Sequence, residues 1–182
     1  MRKVILGAGI TLDGYIARPD GSVDYLPMTK EASALIASFF ATIDTIIMGR
    51  KTLDAAIAMS GGKYKPSVKM PTYVFSRTHP PGERDGVIFI NQTPAAWLRK
   101  IRARPGKHIF HMGGGELARS FLEADLIDEL YLGVVPILLG GGLPLFPPGF
   151  PQRDFVLVEN RTYSKSQISL TYRRLRANRK RK

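Results

Sequence analysis

Apolar residues recur along this chain in two alternating patterns. Short β-type runs, such as Lys3–Ala8 and Thr45–Met48, alternate with segments whose apolar residues have the spacing of one helix face. The strongest helical pattern lies in Lys30–Ala41, and Thr29 before it is a candidate N-cap. The apolar positions of this helix are Ala32, Leu35, Ile36, Phe39, Phe40 and Ile43. We expect this face to pack in the core, with one of its two phenylalanines as an alternative wall for a substrate pocket.

The same patterns predict eight strands and four helices. The strands are Lys3–Ala8, Thr45–Met48, Thr72–Ser76, Val87–Ile90, His108–His111, Glu129–Val135, Phe155–Tyr163 and Gln167–Leu175. The helices are Lys30–Ala41, Thr52–Ala58, Pro94–Ala103 and Glu116–Glu123. Helices interleaved among the first six strands predict an α/β fold, with a mostly parallel sheet covered on both faces. The last two strands predict an antiparallel hairpin about Ser164–Ser166, which ends a single domain at residue 175.

Composition removes several classes of protein. With 182 residues, 44% of them hydrophobic and 23% charged, the chain is typical of one globular domain. The absence of cysteine excludes disulfide scaffolds, cysteine-based metal sites and thiol nucleophiles. No apolar run approaches the roughly 18 residues of a membrane span. The first residues also lack the apolar segment of a signal peptide, so we expect a cytoplasmic protein without membrane contact.

The net charge of +12 is concentrated at one end. Seven basic and no acidic residues lie between Arg173 and Lys182, and the remaining 20 basic residues exceed the 15 acidic ones by only five. Residues 176–182 are therefore predicted to form a basic, disordered tail. An alternative is an arm that binds nucleic acid, which requires salt-sensitive binding that disappears when residues 176–182 are removed. The rest of the chain lacks interleaved basic and aromatic residues, so nucleic acid is not the expected partner.

Three predicted strand ends carry residues suited to phosphate. Ligands in open α/β sheets bind beyond the carboxyl ends of strands, where helix N-termini present backbone N–H groups. Met48–Thr52 combines a glycine, two cations and a hydroxyl; Phe75–Thr78 places a guanidinium between two hydroxyls; and Met112–Glu116 is a glycine turn that leads into a helix. None of them matches G-x-G-x-x-G or the P-loop. Together they suit the three phosphates of NADPH, with arginine as partner of the ribose phosphate.

Other chemistries find less support. His108 and His111 stand three apart on a predicted strand, so their side chains point to opposite faces and no metal site is expected. A hydrolytic triad lacks a G-x-S-x-G elbow.

Five segments resemble a known superfamily. Ile10–Ala17 and Asp20–Leu26 resemble the first strand and active-site loop of the reductase domain of bacterial riboflavin biosynthesis. Asp44–Thr52 is similar to the strand and phosphate loop of dihydrofolate reductases, and His111–Leu117 to a glycine turn that both share. Pro136–Phe146 is typical of stand-alone members. The chain thus resembles a stand-alone relative of the C-terminal reductase domain of the riboflavin deaminase-reductase, in the dihydrofolate-reductase-like superfamily.

The resemblance implies an eight-stranded dihydrofolate-reductase-like fold, NADPH as hydride donor, a small-molecule substrate and a homodimer. Carried over by position, the pyrophosphate would be held by Gly49, Arg50, Lys51 and Thr52. The adenosine 2′-phosphate would be surrounded by Ser76, Arg77 and Thr78. The segment beneath the phosphates and nicotinamide ribose would be Gly113, Gly114, Gly115, Glu116 and Leu117. The nicotinamide itself would lie between Ile10 and Ile16.

The substrate is less constrained. The carboxylate that holds the pterin in classical dihydrofolate reductases corresponds to a position near Ser33, and Met112 stands where the riboflavin reductase has a substrate-contacting acid. Asp13, Asp24 and Glu31 are the local acids that could donate a proton, directly or through water, and of these Asp13 and Glu31 are the catalytic candidates. Asp13 is equally a candidate turn residue that bonds its own backbone. We expect an NADPH-dependent reductase of a small pterin- or pyrimidine-like heterocycle or carbonyl compound; the alternatives are a protein that binds NADPH without turnover and the nucleic-acid-associated protein above.

Overall fold

The computed structural model describes residues 1–27, 29–65, 68–163 and 167–176. In chain order the elements are β1 (Val4–Thr11), β2 (Tyr15–Ala17), α1 (Lys30–Phe40), β3 (Ile43–Gly49), α2 (Arg50–Met59), β4 (Thr72–Phe75), β5 (Gly82–Arg84), β6 (Val87–Ile90), α3 (Pro94–Arg102), β7 (His108–Met112), α4 (Gly115–Glu123), β8 (Glu129–Val135), β9 (Leu143–Pro144), β10 (Phe155–Thr162) and β11 (Ile168–Arg174). Each helix follows a strand and leads into another, as the alternating patterns predicted.

One sheet of nine strands forms the middle layer, in the order β10-β11-β8-β1-β7-β3-β4-β6-β5. The strands from β8 to β6 run parallel, whereas β11 is antiparallel to β8 and β10 is antiparallel to β11. Helices α1 and α2 cover one face and α3 and α4 the other. The predicted α/β class and the C-terminal antiparallel hairpin are therefore confirmed, while the predicted turn at residues 164–166 lies outside the described residues.

The prediction of eight strands was too low. β5 extends the sheet to nine strands by pairing antiparallel with β6 through a turn at Asp85 and Gly86, whose φ angles are 50° and 76°. Two consecutive positive φ angles are the mark of a type I′ hairpin turn, for which Asp-Gly is a standard sequence. β2 and β9 form a separate two-stranded sheet, in which Tyr15 pairs with Pro144.

The core has one layer on each face of the sheet. Trp97 and Phe121 of the α3–α4 layer are almost fully buried, and Leu53 of α2 packs on the opposite face. The apolar face of α1 matches the prediction in part. Phe39 and Phe40 pack against the core on this side of the sheet, whereas only Ala32 is fully buried and Ile36 is 40% exposed. This face therefore lies partly on core and partly on a cleft, and its periodicity identifies an apolar surface but not what covers it.

An ion-pair cluster ties the end of β11 to the segment before β8. Asp125 pairs with Arg153, Arg174 and Arg176, and Asp128 pairs with Arg102 and Arg176. Arg176, the first residue of the predicted tail, is thus held against the domain, and residues 177–182 lie outside the described residues. Within the described ranges, no helix is both long and apolar enough to cross a bilayer.

Candidate active site

A cleft of about 1300 Å³ opens at the carboxyl ends of the parallel strands. This is the edge at which α/β sheets bind ligands. Every predicted cofactor residue except Ile10 lines the cleft: Ile16, Gly49, Arg50, Lys51, Thr52, Ser76, Arg77, Thr78, Gly113, Gly114, Gly115, Glu116 and Leu117. The three predicted phosphate segments, separated in sequence, are therefore brought to one site.

Helices α2, α3 and α4 all begin at the cleft, but α2 and α4 differ from α1 and α3 at their N-termini. Thr29 caps α1 and Thr93 caps α3, where each hydroxyl accepts a hydrogen bond from a backbone N–H of the first turn, at 3.1 and 3.3 Å. The N-cap residues of α2 and α4 are Gly49 and Gly114, and neither helix has a side-chain cap hydrogen bond among the described residues. Their first N–H groups and the positive ends of their dipoles therefore remain available to an anion.

The glycine turn after β7 brings these two helix starts together. Gly114 has a φ of 77°, and a Cβ atom there would lie 2.6 Å from the Thr52 hydroxyl oxygen. A Cβ atom on Gly115 would lie 2.4 Å from the carbonyl oxygen of Pro144. Only glycine fits this close approach of backbone to neighbouring groups. The first turn of α2 also carries Arg50 and Lys51 and no acidic residue.

The third predicted phosphate segment is a turn built around Ser76. The Ser76 hydroxyl oxygen accepts hydrogen bonds from the backbone N–H groups of Thr78 (3.3 Å) and His79 (3.0 Å), which fixes the chain directly after β4. The Arg77 side chain is exposed at the cleft, and among the described residues it makes no ion pair. Arg50, by contrast, pairs with Asp54 one turn further along α2. Arg77 is thus a cation at the cleft edge for which the described residues supply no carboxylate partner.

The predicted proton donors lie elsewhere. Asp13, Asp24 and Glu31 are all absent from the described lining of the cleft. Asp13 accepts a hydrogen bond from Thr11 at 2.5 Å and from the N–H groups of Leu139 and Gly140 at 3.0 and 2.8 Å. The Thr11 hydroxyl, followed by those backbone groups, lowers the pKa of Asp13, so this carboxylate is ionised and anchors a loop. Glu31 lies exposed in the first turn of α1.

Ile10, the remaining predicted cofactor residue, is absent from the described lining of the cleft. Successive side chains on a strand alternate between faces, and Ile10 packs with Leu6 against the α3–α4 core layer.

Sequence reasoning missed most of the other half of the cleft. Its lining includes Leu26, Phe110, Tyr131, Tyr163, Gln167 and Ser169, together with the apolar face of α1. These residues come from β7, β8, β11 and loops that meet only through sheet pairing, so no local motif identifies them. One signal was present: Gly133 interrupts an otherwise apolar strand, and glycine inside a strand often marks close approach by another group.

The fold and this cleft define a dihydrofolate-reductase-like α/β domain. The chain belongs to the RibD C-terminal domain family, whose sequence model matches residues 2–169. This is a family of oxidoreductases that includes reductases of riboflavin biosynthesis.

Three individual proteins show how far the likeness extends. The chain is 33% identical over 186 residues to YyaP, an uncharacterized protein of Bacillus subtilis (strain 168), with 94% of each chain covered. A Shewanella sp. PV-4 protein assigned to riboflavin biosynthesis has a TM-score of 0.83 at 29% identity, covering 96% of this chain and 99% of that one. A diaminohydroxyphosphoribosylaminopyrimidine deaminase/5-amino-6-(5-phosphoribosylamino)uracil reductase from Thermotoga maritima shares the fold, with a TM-score of 0.71 at 17% identity, 96% of this chain and 57% of that chain.

Proposed function

We propose that this protein is an NADPH-dependent reductase that transfers a hydride to a C=N or C=O group of a small heterocyclic or carbonyl substrate. The observation that carries the proposal is the meeting of two glycine-capped helix starts at the cleft, with Arg77 at the cleft edge. These supply anion-binding groups for a pyrophosphate and for a separate ribose phosphate. The oxidoreductase family supports the same chemistry.

The residues present fit NADPH. The N–H groups at the starts of α2 and α4, with Arg50 and Lys51, would hold the pyrophosphate, and the space for it exists because Gly114 has no side chain. Arg77, Ser76 and Thr78 would hold the 2′-phosphate.

Bound NADPH supplies a hydride from C4 of its dihydronicotinamide ring. The task of the chain is to hold the acceptor in place and to keep water away from the reacting atoms. The other half of the cleft provides apolar surroundings for the acceptor, from Leu26, Phe39 and Phe110. The only carboxylate in the described lining is Glu116, which lies at the start of α4 in a predicted phosphate segment. The other half of the described lining has no acidic side chain, so the proton for the reduced nitrogen or oxygen is expected to come from water.

Replacing Arg77 by alanine tests the cofactor. We expect NADPH affinity to fall about tenfold to a hundredfold, because a charge-assisted pair with the 2′-phosphate is lost, while NADH affinity stays the same. Isothermal titration calorimetry with both cofactors measures the change. Arg99→Ala is the matched control, since Arg99 is an exposed arginine of α3 outside the described lining. Equal affinity of the unmodified protein for NADPH and NADH would contradict the proposal.

Replacing Gly114 by alanine tests the helix starts. The new Cβ would meet the Thr52 hydroxyl, and alanine is strained at a φ of 77°. Relief of this strain, which is worth about 1–3 kcal/mol, would move the turn away from the conformation that presents its N–H groups, so we expect NADPH affinity to fall about tenfold. Gly141→Ala is the control, because a Cβ there has no described atom within 4 Å. If Gly114→Ala bound NADPH as tightly as Gly141→Ala, the pyrophosphate would have to lie elsewhere.

The expected homodimer, the cytoplasmic location and the tail-based alternative stay predictions. Tight NADPH binding without oxidation of NADPH by any acceptor tested would favour the alternative of a protein that binds NADPH without turnover.

A further inference from the structure

The turn after β4 carries a histidine that the proposed function does not use. His79 follows the predicted phosphate segment Ser76–Thr78, and its ring stacks on that of Phe89 in β6, with centroids 4.9 Å apart and ring planes at 14°. Phe89 is 7% exposed and belongs to the core layer of α1 and α2. The imidazole of His79 is therefore held in one position against the sheet, next to the predicted phosphate segment.

The imidazole meets the cleft through two hydroxyl groups. Its Nδ1 atom lies 3.2 Å from the Ser76 hydroxyl oxygen and 3.3 Å from that of Thr78. Both of these residues line the cleft, on either side of Arg77, whereas His79 is absent from the described lining. The contact of His79 with a ligand in the cleft therefore runs through Ser76 and Thr78.

The hydrogen bonds of this turn decide where the Ser76 hydroxyl hydrogen goes. The Ser76 oxygen already accepts from the backbone N–H groups of Thr78 and His79, which occupies its two acceptor positions. What remains is its own O–H, and a neutral imidazole with an unprotonated Nδ1 accepts it. In that state Ser76 donates to His79 and not to a ligand.

A protonated imidazole reverses this arrangement. Both of its nitrogens carry hydrogen, so Nδ1 donates instead of accepting. The Thr78 hydroxyl oxygen, at 3.3 Å, is an acceptor within reach, and the O–H groups of Ser76 and Thr78 become free to donate to a ligand. The neutral tautomer with hydrogen on Nδ1 frees the same O–H groups, but it lacks the positive charge that favours a phosphate.

Several cations surround this position. Arg77 lies two residues before His79, the Arg84 guanidinium of β5 lies 5.7 Å from the centroid of the Phe89 ring, and Lys51 of α2 lines the same cleft. A phosphate dianion bound among these groups attracts further positive charge. An imidazole can supply this charge by taking up a proton near neutral pH.

The acidic side chains of this region are paired or directed elsewhere. Glu83 and Arg84 are consecutive on β5, so their side chains lie on opposite faces of the strand. Asp85 lies in the turn that joins β5 to β6, and Asp54 of α2 pairs with Arg50. Among the described hydrogen bonds and ion pairs, none joins His79 to a carboxylate, so the counter-charge for an imidazolium has to come from a ligand.

We propose that His79 is a positioning residue for the 2′-phosphate of NADPH, and that its imidazole takes up a proton when this phosphate binds. The Ser76 and Thr78 hydroxyls then donate to the phosphate beside the Arg77 guanidinium, and the imidazolium adds a second positive charge behind them. The inference rests on the proposed function, which puts the 2′-phosphate at Ser76–Thr78. Its consequence is that the preference for the phosphorylated over the unphosphorylated cofactor depends on pH through His79.

Proton uptake on binding gives the direct test. Isothermal titration calorimetry of NADP+ and of NAD+ in PIPES and in Bis-Tris buffer measures it, because the two buffers differ in heat of ionisation; the oxidised cofactors are used because they are stable in weak acid. At about pH 7 we expect the unmodified protein to take up roughly a third of a proton more with NADP+ than with NAD+. The 2′-phosphate itself titrates at about pH 6 and can only release a proton when it binds cations, so uptake identifies a base of the protein.

Replacing His79 by asparagine identifies this base. Asparagine keeps a hydrogen-bonding group near the place of Nδ1 and carries no charge, so the extra uptake should disappear. Between about pH 8 and about pH 6, the ratio of NADP+ affinity to NAD+ affinity should rise about fivefold more in the unmodified protein than in His79→Asn. Titration of the 2′-phosphate cancels in this comparison. His108→Asn is the matched control and should behave as the unmodified protein, because His108 lies on β7 outside the described lining of the cleft.

Three outcomes would overturn the inference. They are no greater proton uptake with NADP+ than with NAD+ in the unmodified protein, an extra uptake that survives in His79→Asn, and equal losses of NADP+ and NAD+ affinity in that variant, which a purely structural role would produce. The first needs no variant, so the test stands even if His79→Asn does not fold. A preference for NADP+ without extra uptake contradicts the role of His79 alone, whereas absence of NADP+ binding, or equal affinity for the two cofactors, contradicts the proposed function.

Discussion

Replacing Asp128 by alanine is expected to lower the free energy of unfolding by about 3 kcal/mol, because it leaves buried and partly buried donors without an acceptor. The Asp128 carboxylate is 7% exposed and accepts hydrogen bonds from the Val4 backbone N–H at 2.8 Å, from Arg102 and from Arg176 at 2.8 Å. It thus joins β1, α3 and the end of β11. Urea unfolding of the two proteins, followed by circular dichroism, measures the difference.

The matched control for Asp128 is Asp24→Ala. Asp24 pairs with Arg18 at 2.6 Å, but its side chain is 65% exposed, and pairs of this kind are worth less than about 1 kcal/mol. Similar losses in the two variants would mean that burial does not strengthen the Asp128 cluster.

Acidification from neutral pH to about pH 4 is expected to lower the free energy of unfolding by about 3 kcal/mol through His111 alone. His111 lies on β7 between the apolar strands β1 and β3 and is fully buried. Its ring packs edge to face with that of Phe121, with 5.2 Å between the ring centroids. Neither ring nitrogen has a hydrogen-bond partner among the described residues. Burial therefore lowers the pKa of His111 from 6.5 to about 4. The nearby backbone groups of His111 and Leu117 raise this pKa by a smaller amount, although neither forms a hydrogen bond of ordinary geometry with the ring.

The sign of the effect follows from proton counts. As pH falls below 6.5, His111 takes up a proton in the unfolded chain and stays neutral in the folded one until about pH 4, so protons favour unfolding throughout this window. By about pH 5 the loss should reach about 2 kcal/mol relative to neutral pH.

His111→Leu tests this prediction, since Leu6 and Ile47 are the paired neighbours on the adjacent strands. The difference in free energy of unfolding between the parent and this variant should grow by about 2 kcal/mol in favour of the variant between about pH 7 and pH 5. Carboxylates that titrate in both proteins cancel in this difference. Parallel pH curves for the two proteins would show that His111 is not held neutral by burial.

The half of the cleft that is proposed to bind phosphates could be predicted to form one site, because its residues lie in three short continuous segments. Gly49–Thr52, Ser76–Thr78 and Gly113–Leu117 each sit where a strand ends, and parallel strands bring their ends to one edge. The central strands were predictable for a related reason: each is a short apolar run bounded by turn or helix signals.

Other elements depend on contacts that no local pattern records. β5 consists of Gly82, Glu83 and Arg84, all exposed, and it is a strand only through backbone pairing with β6. The half of the cleft under α1 is a second case, since Gly9 and Ser169 line it together only because β8 pairs with both β1 and β11. The apolar face of α1 is a third: periodicity identifies an apolar surface whether core or ligand covers it.

The glycine caps of α2 and α4 have a consequence for the folding of the protein itself. A serine, threonine, asparagine or aspartate cap typically contributes about 1 kcal/mol to a helix, and neither of these helices has a side-chain cap hydrogen bond among the described residues. The phosphates of the proposed cofactor would take the place of those caps, so NADPH is expected to act as a structural part of the domain as well as its reductant. The thermal stability of the protein should then rise with the concentration of NADPH or of NADP+, since both carry these phosphates, which links the lifetime of the protein to the supply of cofactor in either oxidation state.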